Sequence, residues 1–149
     1  MGHADEPLWR RAATSTLHIS FILKADLEEG LQQETGLLLA DNEALINLAL
    51  QPMRMSEIAE KLVLSRGGTT KVIDRLEELG HVTRRPDPDD RRATLVEITD
   101  SGRQARTDAR VVVDRRLEEV WSQHISDEEA STIVDVMERV LDASRGAKH

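Results

Sequence analysis

The chain has no cysteine, no tyrosine and three other aromatic residues, Trp9, Phe21 and Trp121. Without thiols it can form no disulfide or thiolate zinc site, and cannot sense oxidation through sulfur. Proteins that grip single strands or RNA loops stack bases on aromatic platforms, so the scarcity of aromatics argues against that class. Duplex DNA read by a helix in the major groove requires no such platform. Long apolar runs are also missing: Leu37-Leu38-Leu39-Ala40 is among the longest, far short of the ~20 residues of a membrane span. No basic and then apolar leader opens the sequence, and Glu6 stands where N-myristoylation calls for Ser or Thr. The expectation is a soluble, cytoplasmic protein. Glycine-rich phosphate loops, a Gly-x-Ser-x-Gly elbow and paired helical histidines are absent as well, so no enzyme class is supported.

What the chain does have is an uneven distribution of charge. Its 149 residues carry a net charge of −8, and this length suits a single domain that buries roughly 70% of its unfolded surface. From Lys61 to Arg92, however, eight basic and six acidic residues give a window of +2, which leaves −10 for the rest. An acidic body with one basic edge suits a protein that meets a polyanion on one face without sticking to it indiscriminately.

Most of the sequence has helical periodicity. Leu8, Ala12, Ile19, Leu23, Leu27 and Leu31 share a face that Trp9, Ala13 and Leu17 widen, and Thr35-Gly36 punctuates it. Asp41 is placed to cap a short helix bearing Leu45, Leu48 and Ala49, and Ser56 to cap the next, with Ile58, Ala59 and Leu62 inward. Ala105, Ala109, Val112, Val113, Leu117, Val120 and Trp121 line a long helix after Thr99-Asp100. Ser126 and Glu129 form a capping box for a last helix with Ile133, Met137, Val140 and Leu141. Helices this apolar at both ends of the chain must bury their stripes. Pairing with the same helices of a second copy is preferred to packing within one domain, and gives a two-fold dimer.

Residues 65 to 102 carry most of the information. Ser65 is a good N-cap; Val72, Ile73, Leu76 and Leu79 make a helical stripe, and Gly80 supplies the stop. Strand-like runs at 81–85 and 94–98 flank the loop Pro86 to Ala93, which holds Arg91 and Arg92. With the preceding helix and the Val63-Leu64 turn, this is the pattern of a winged helix-turn-helix. The fold expected is mainly α with a small β-hairpin wing: dimerisation helices at 8–33 and 100–145, and a DNA-binding region at 41–99. Arg66, Thr69, Thr70 and Lys71 fall in the first two turns of the reading helix, within reach of base edges and phosphates. The free N–H groups at its start, from Ser65 on, favour a phosphate. Gly67 and Gly68 weaken the helix but allow close backbone approach. The wing arginines suit a narrow minor groove, where negative potential is focused.

The segment Ser56 to Gly102 resembles the multiple-antibiotic-resistance regulator (MarR) family of bacterial transcription factors. Carrying the match are Leu64-Ser65-Arg66, Thr70-Lys71-Val72-Ile73-Asp74-Arg75-Leu76-Glu77 and Gly80. In the wing they are Arg84-Arg85-Pro86, Asp90-Arg91-Arg92, Leu95-Val96-Glu97-Ile98-Thr99 and Gly102. The family often has larger side chains at Gly67 and Gly68, which puts side-chain readout there in doubt. The resemblance implies a homodimer joined by its terminal helices, acting on a palindromic operator, more commonly as a repressor, and often released by a small phenolic or anionic effector. It also implies that Arg91 or Arg92 enters the minor groove while Asp90 braces the hairpin through an ion pair with the other.

Bland readings stand beside these. Thr69 and Thr70 can be merely solvent-exposed, and Arg75 with Glu77 and Glu78 is read as a structural ion-pair group. Trp9 and Trp121 are core or interface fillers; as an alternative they join His18 as the candidate effector-binding set. No His/Glu/Asp set has metal-ligand spacing, and Asp87 to Ile98 fails as a calcium loop, lacking Gly at its sixth position and Glu at its twelfth. The aspartates there are turn formers. No cofactor is implied. The competing class is a winged helix serving as a protein-interaction module without DNA, against which the cationic, threonine-bearing helix face speaks.

Overall fold

The computed structural model describes residues 6–146. Its elements are α1 (Leu8–Thr35), α2 (Leu39–Leu48), β1 (Met53–Arg54), α3 (Met55–Leu62), α4 (Arg66–Glu78), β2 (Val82–Pro86), β3 (Thr94–Ile98), α5 (Asp100–Trp121) and α6 (Asp127–Gly146). The fold is mainly helical with a small antiparallel sheet, that of a winged helix. The chain divides into two compact units, one running to Val113 and the other starting at Asp114. Of the N-terminal residues read for a leader or an acyl group, those before Glu6 lie outside the described residues.

Local chemistry explains where the helices stop and start. At the end of α1, Gly36 takes a left-handed φ of 73° and its N–H reaches the Gln32 carbonyl at 3.2 Å. At the start of α4, Ser65 Oγ accepts from the Gly68 N–H at 3.1 Å, the cap that the sequence indicates. Gly80, with φ 74°, ends that helix. Its N–H bonds Glu77 O at 2.9 Å while the His81 N–H bonds Leu76 O at 2.8 Å, so two otherwise free carbonyls are satisfied. Ser126 and Glu129 exchange hydrogen bonds at the start of α6, Ser126 N–H to Oε2 at 2.9 Å and Glu129 N–H to Oγ at 3.3 Å.

Two expected caps sit differently. Asp41 is inside α2, not before it; its Oδ2 accepts the Leu38 N–H at 2.8 Å from the third helical position. Ser56 likewise lies within α3, and Glu57 satisfies the Arg54 N–H at 2.6 Å. In both cases a carboxylate at the third helical position reaches back to the N–H of the N-cap residue, the half of a capping box that the N3 side chain supplies. The hairpin strands match to within one residue, but a third strand joins them. β1 pairs with β3 through Met53↔Val96 and Arg54↔Leu95, giving the order β1-β3-β2. Two residues are too short to show a period of two, so this strand left no sequence signal.

The core belongs to the first unit. Leu31 of α1, Leu45 and Leu48 of α2, Ile58 of α3, Ile73 and Leu76 of α4 and Val96 of β3 are almost fully buried together. Trp9 is not a core filler, being 73% exposed, and Leu17, Phe21 and Ile22 of α1 are also exposed. In the second unit, α6 contains no buried residue, and Val134, Met137, Val140 and Leu141 are open to solvent.

Candidate nucleic-acid interface

The first turns of α4 and the wing share one cleft. Arg66 and Thr70 of α4, Ser56 of α3 and Asp90 and Arg92 of the wing line a depression of about 480 Å³. Arg66, Thr70, Lys71, Arg91 and Arg92 are exposed, as are Ser65 and Gly67. Among the described residues, none of the four cations Arg66, Lys71, Arg91 and Arg92 forms an ion pair. These four charges are therefore held at the surface outside any ion pair, with Asp90 the nearby carboxylate in the cleft.

Thr69 departs from the expectation. It is 1% exposed, and its Oγ1 donates to the Ser65 carbonyl at 3.0 Å. The 3.6-residue period places position 69 on the same inward face as Ile73 and Leu76, so its hydroxyl bonds backward along the helix. Thr70 makes the equivalent bond to Arg66 O at 3.0 Å but stays exposed, with oxygen lone pairs still available. A Cβ added at Gly67 would meet nothing within 4 Å, whereas one at Gly68 would approach Ser65 Oγ at 3.3 Å. The bare backbone at Gly67 thus reflects open space outside the helix, not internal packing.

The wing is braced, but not by the expected pair. Asp90 Oδ1 accepts the Arg92 N–H at 3.0 Å, a turn bond that leaves both neighbouring guanidinium groups free. The brace is Asp87: Oδ1 accepts the Asp89 N–H at 2.9 Å, and Oδ2 receives Nε and Nη2 of Arg54, each at 2.6 Å. The Asp89 N–H lowers the Asp87 pKa most; desolvation opposes it, and Arg54 draws it down further, so the carboxyl titrates below the usual aspartate range. The same bond raises Arg54 above the ordinary arginine value. Sequence reading caught Asp87 as a turn former and missed Arg54, because 33 positions separate the partners.

Two further arginines hold α4. Arg75 bonds not Glu77 or Glu78 but the fully buried Asp41, Nε to Oδ2 at 3.0 Å, and the Gly36 carbonyl at 2.8 Å. Glu77 is taken instead by Arg84 of β2, which also reaches Asp74 at 2.6 Å. Burial works against the Arg84 charge, yet the two carboxylates outweigh it and raise its pKa. These links fix the reading helix to α1, α2 and the sheet.

A family model described as the MarR family matches residues 48–94, the stretch that contains α3, α4, β2 and the wing tip. Over these residues the chain matches the MarR family. The chain is 32% identical over 85 residues to the HTH-type transcriptional regulator YdgJ of Bacillus subtilis, a match covering 57% of this chain and 51% of YdgJ. It thus spans about half the length of that relative. Its fold is similar to that of Sco5413, a MarR family transcriptional regulator from Streptomyces coelicolor, with a TM-score of 0.77 and 28% identity over 95% of this chain and 97% of that one. It is likewise similar to Sco3205 of the same organism, solved in complex with DNA, with a TM-score of 0.81 and 22% identity over 93% and 92% of the two chains.

Trp9 and His18 are exposed on α1, and Trp121 ends α5 in the second unit. A cleft of about 510 Å³ lies elsewhere in the first unit, where Lys24 of α1 and Lys61 of α3 flank Leu38, Leu39, Leu62 and Leu64. No group of His, Asp and Glu among the described residues could hold a metal ion. None of the described helices is long and apolar enough to cross a membrane.

Proposed function

We propose that this chain is a sequence-specific regulator of transcription that binds double-stranded DNA as a cytoplasmic homodimer and, as is commoner among such regulators, represses. The observation that carries this reading is the cleft where Arg66 and Thr70 of the reading helix face Arg92 of the wing, with no carboxylate paired to either arginine. Two secondary-structure elements presenting unpaired cations to one furrow suit a duplex backbone flanked by two grooves. Ser65, Arg66, Gly67, Gly68, Thr70 and Lys71 would enter the major groove. Arg92 shares the cleft with Arg66 and so falls to the intervening phosphates. Arg91, outside the cleft, falls to the minor groove. Sco3205, of like fold, has been crystallised with DNA.

Two solvent-exposed apolar faces support the dimer. Leu17, Phe21 and Ile22 on α1 and Val134, Val140 and Leu141 on α6 are each about half exposed or more, and exposed patches of this kind mark association surfaces. A two-fold pair would set two reading helices against a palindrome. For effector response we assign the cleft lined by Lys24, Lys61, Glu28 and Glu43, whose apolar floor of Leu38, Leu39, Leu62 and Leu64 suits a small aromatic ligand.

The test is duplex binding by fluorescence anisotropy, with the duplex selected by the wild-type protein from a random-sequence pool and the salt concentration varied. Salt-dependent binding of two copies per palindrome is expected. Failure to select any duplex would leave the protein-interaction reading in its place. Thermal-shift screening with benzoates, run beside DNA release, tests the effector cleft.

A further inference from the structure

The Arg54–Asp87 contact links the wing loop to the elements that open the helix-turn-helix. Arg54 belongs to β1 and directly precedes α3, while Asp87 follows β2 at the base of the wing loop. Asp87 is 4% exposed, its Oδ2 takes two guanidinium nitrogens, and its Oδ1 takes the Asp89 N–H. The Asp87 N–H in turn closes the loop on Ala93 O at 3.0 Å. One carboxylate therefore fixes the shape of the loop and ties it to the end of β1. Arg54 also lines the cleft shared by Arg66 and Arg92, so one end of the strut borders the space between the two readers.

We infer that Arg54 and Asp87 are positioning residues that set the angle between the wing and the reading helix, and hence the spacing of Arg92 from Arg66. This rests on the DNA-binding reading above. Nε and Nη2 of Arg54 are engaged by Asp87 while Nη1 is not, so direct phosphate contact by Arg54 is the rival reading that the test must separate. Two charge-assisted donations to one oxygen of a buried carboxylate are strong enough to hold such an angle.

Charge bookkeeping gives the test its sign. Asp87→Asn removes a negative charge from the face that meets DNA, so electrostatics alone would tighten binding. A positioning role requires the reverse. Arg54→Met, Asp87→Asn and the double variant are measured by anisotropy on the selected duplex and on a random duplex, over a salt series, with Arg54→Lys as the conservative variant.

The inference expects each single variant to weaken binding to the selected duplex roughly tenfold and to change random-duplex binding by less than threefold. The double variant should be no worse than the weaker single, the non-additivity of one broken contact. Arg54→Lys, which keeps the charge and one donor, should recover part of the loss.

If Asp87→Asn binds as tightly as wild type or tighter while Arg54→Met lowers the salt slope by about one, Arg54 is a direct phosphate contact and the inference falls. If the variants lower the unfolding temperature but bind as wild type below it, the strut is merely structural and the inference again falls. Absence of any duplex binding by wild type is a different result: it removes the DNA reading itself, and this inference with it.

Discussion

Arg75 of the reading helix donates to Asp41, a carboxylate with no solvent exposure, across 3.0 Å, while its other arm holds the carbonyl that closes α1. One oxygen of that carboxylate, Oδ1, is buried without a partner. Arg75→Met would leave the acid buried with no cation. Losing one partner of such a pair costs about 2–4 kcal/mol. Urea unfolding followed by circular dichroism should report that loss; a change below about 0.5 kcal/mol would mean that the contact is incidental.

The same carboxyl sets a pH dependence. Desolvation raises the Asp41 pKa above 3.8, against the Leu38 N–H and Arg75, which lower it. An acid whose folded value exceeds its unfolded one favours the fold fully below the unfolded value and loses that contribution as pH rises through the folded one. Between pH 4 and pH 7, wild type should therefore lose stability relative to Asp41→Asn. Denaturant titrations at both pH values give the comparison; the opposite sign would mean that Arg75 outweighs burial.

Val63 is the turn residue of the helix-turn-helix. It has a φ of 54° and ψ of 42°, and its side chain is 80% exposed. A β-branched residue in the left-handed region is strained, and little burial offsets the strain here. Val63→Gly should raise stability by about 0.5–1 kcal/mol, since relief of strain exceeds the added freedom of the unfolded chain. A lower melting temperature in calorimetry would show that Val63 has a packing role.

Two glycines should behave oppositely. A Cβ at Gly102 would overlap the His81 carbonyl oxygen and crowd Ile98, so Gly102→Ala must displace backbone and should cost about 3 kcal/mol. At Gly67 there is open space, and Gly67→Ala should raise stability by about 0.5 kcal/mol. If the bare backbone lies against DNA, that same variant should bind duplex less tightly. Melting and anisotropy on the two proteins separate the cases; destabilisation by Gly67→Ala would refute the first-turn assignment.

Much of the scaffold was legible because its signals are local. The stripe Val72, Ile73, Leu76, the Ser65 cap and the Gly80 stop all lie within one helix, and the wing strands are bounded by Pro86 and Thr99. What escaped depends on distance along the chain. Arg54 finds Asp87, Arg75 finds Asp41 and Arg84 finds Asp74, and no periodicity announces any of them. Thr69 failed for a subtler reason: its polarity suggested the surface, while its helical phase put it inside.

Wing and long helix meet without slack. Thr99 directly follows β3, its hydroxyl donates to Gly80 O at 2.7 Å and accepts the Gly102 N–H at 3.0 Å, and its own N–H holds His81 O at 3.0 Å. The first turn of α5 is therefore tied to the strand ends with no loop between them, so a shift of that turn is passed directly to the sheet.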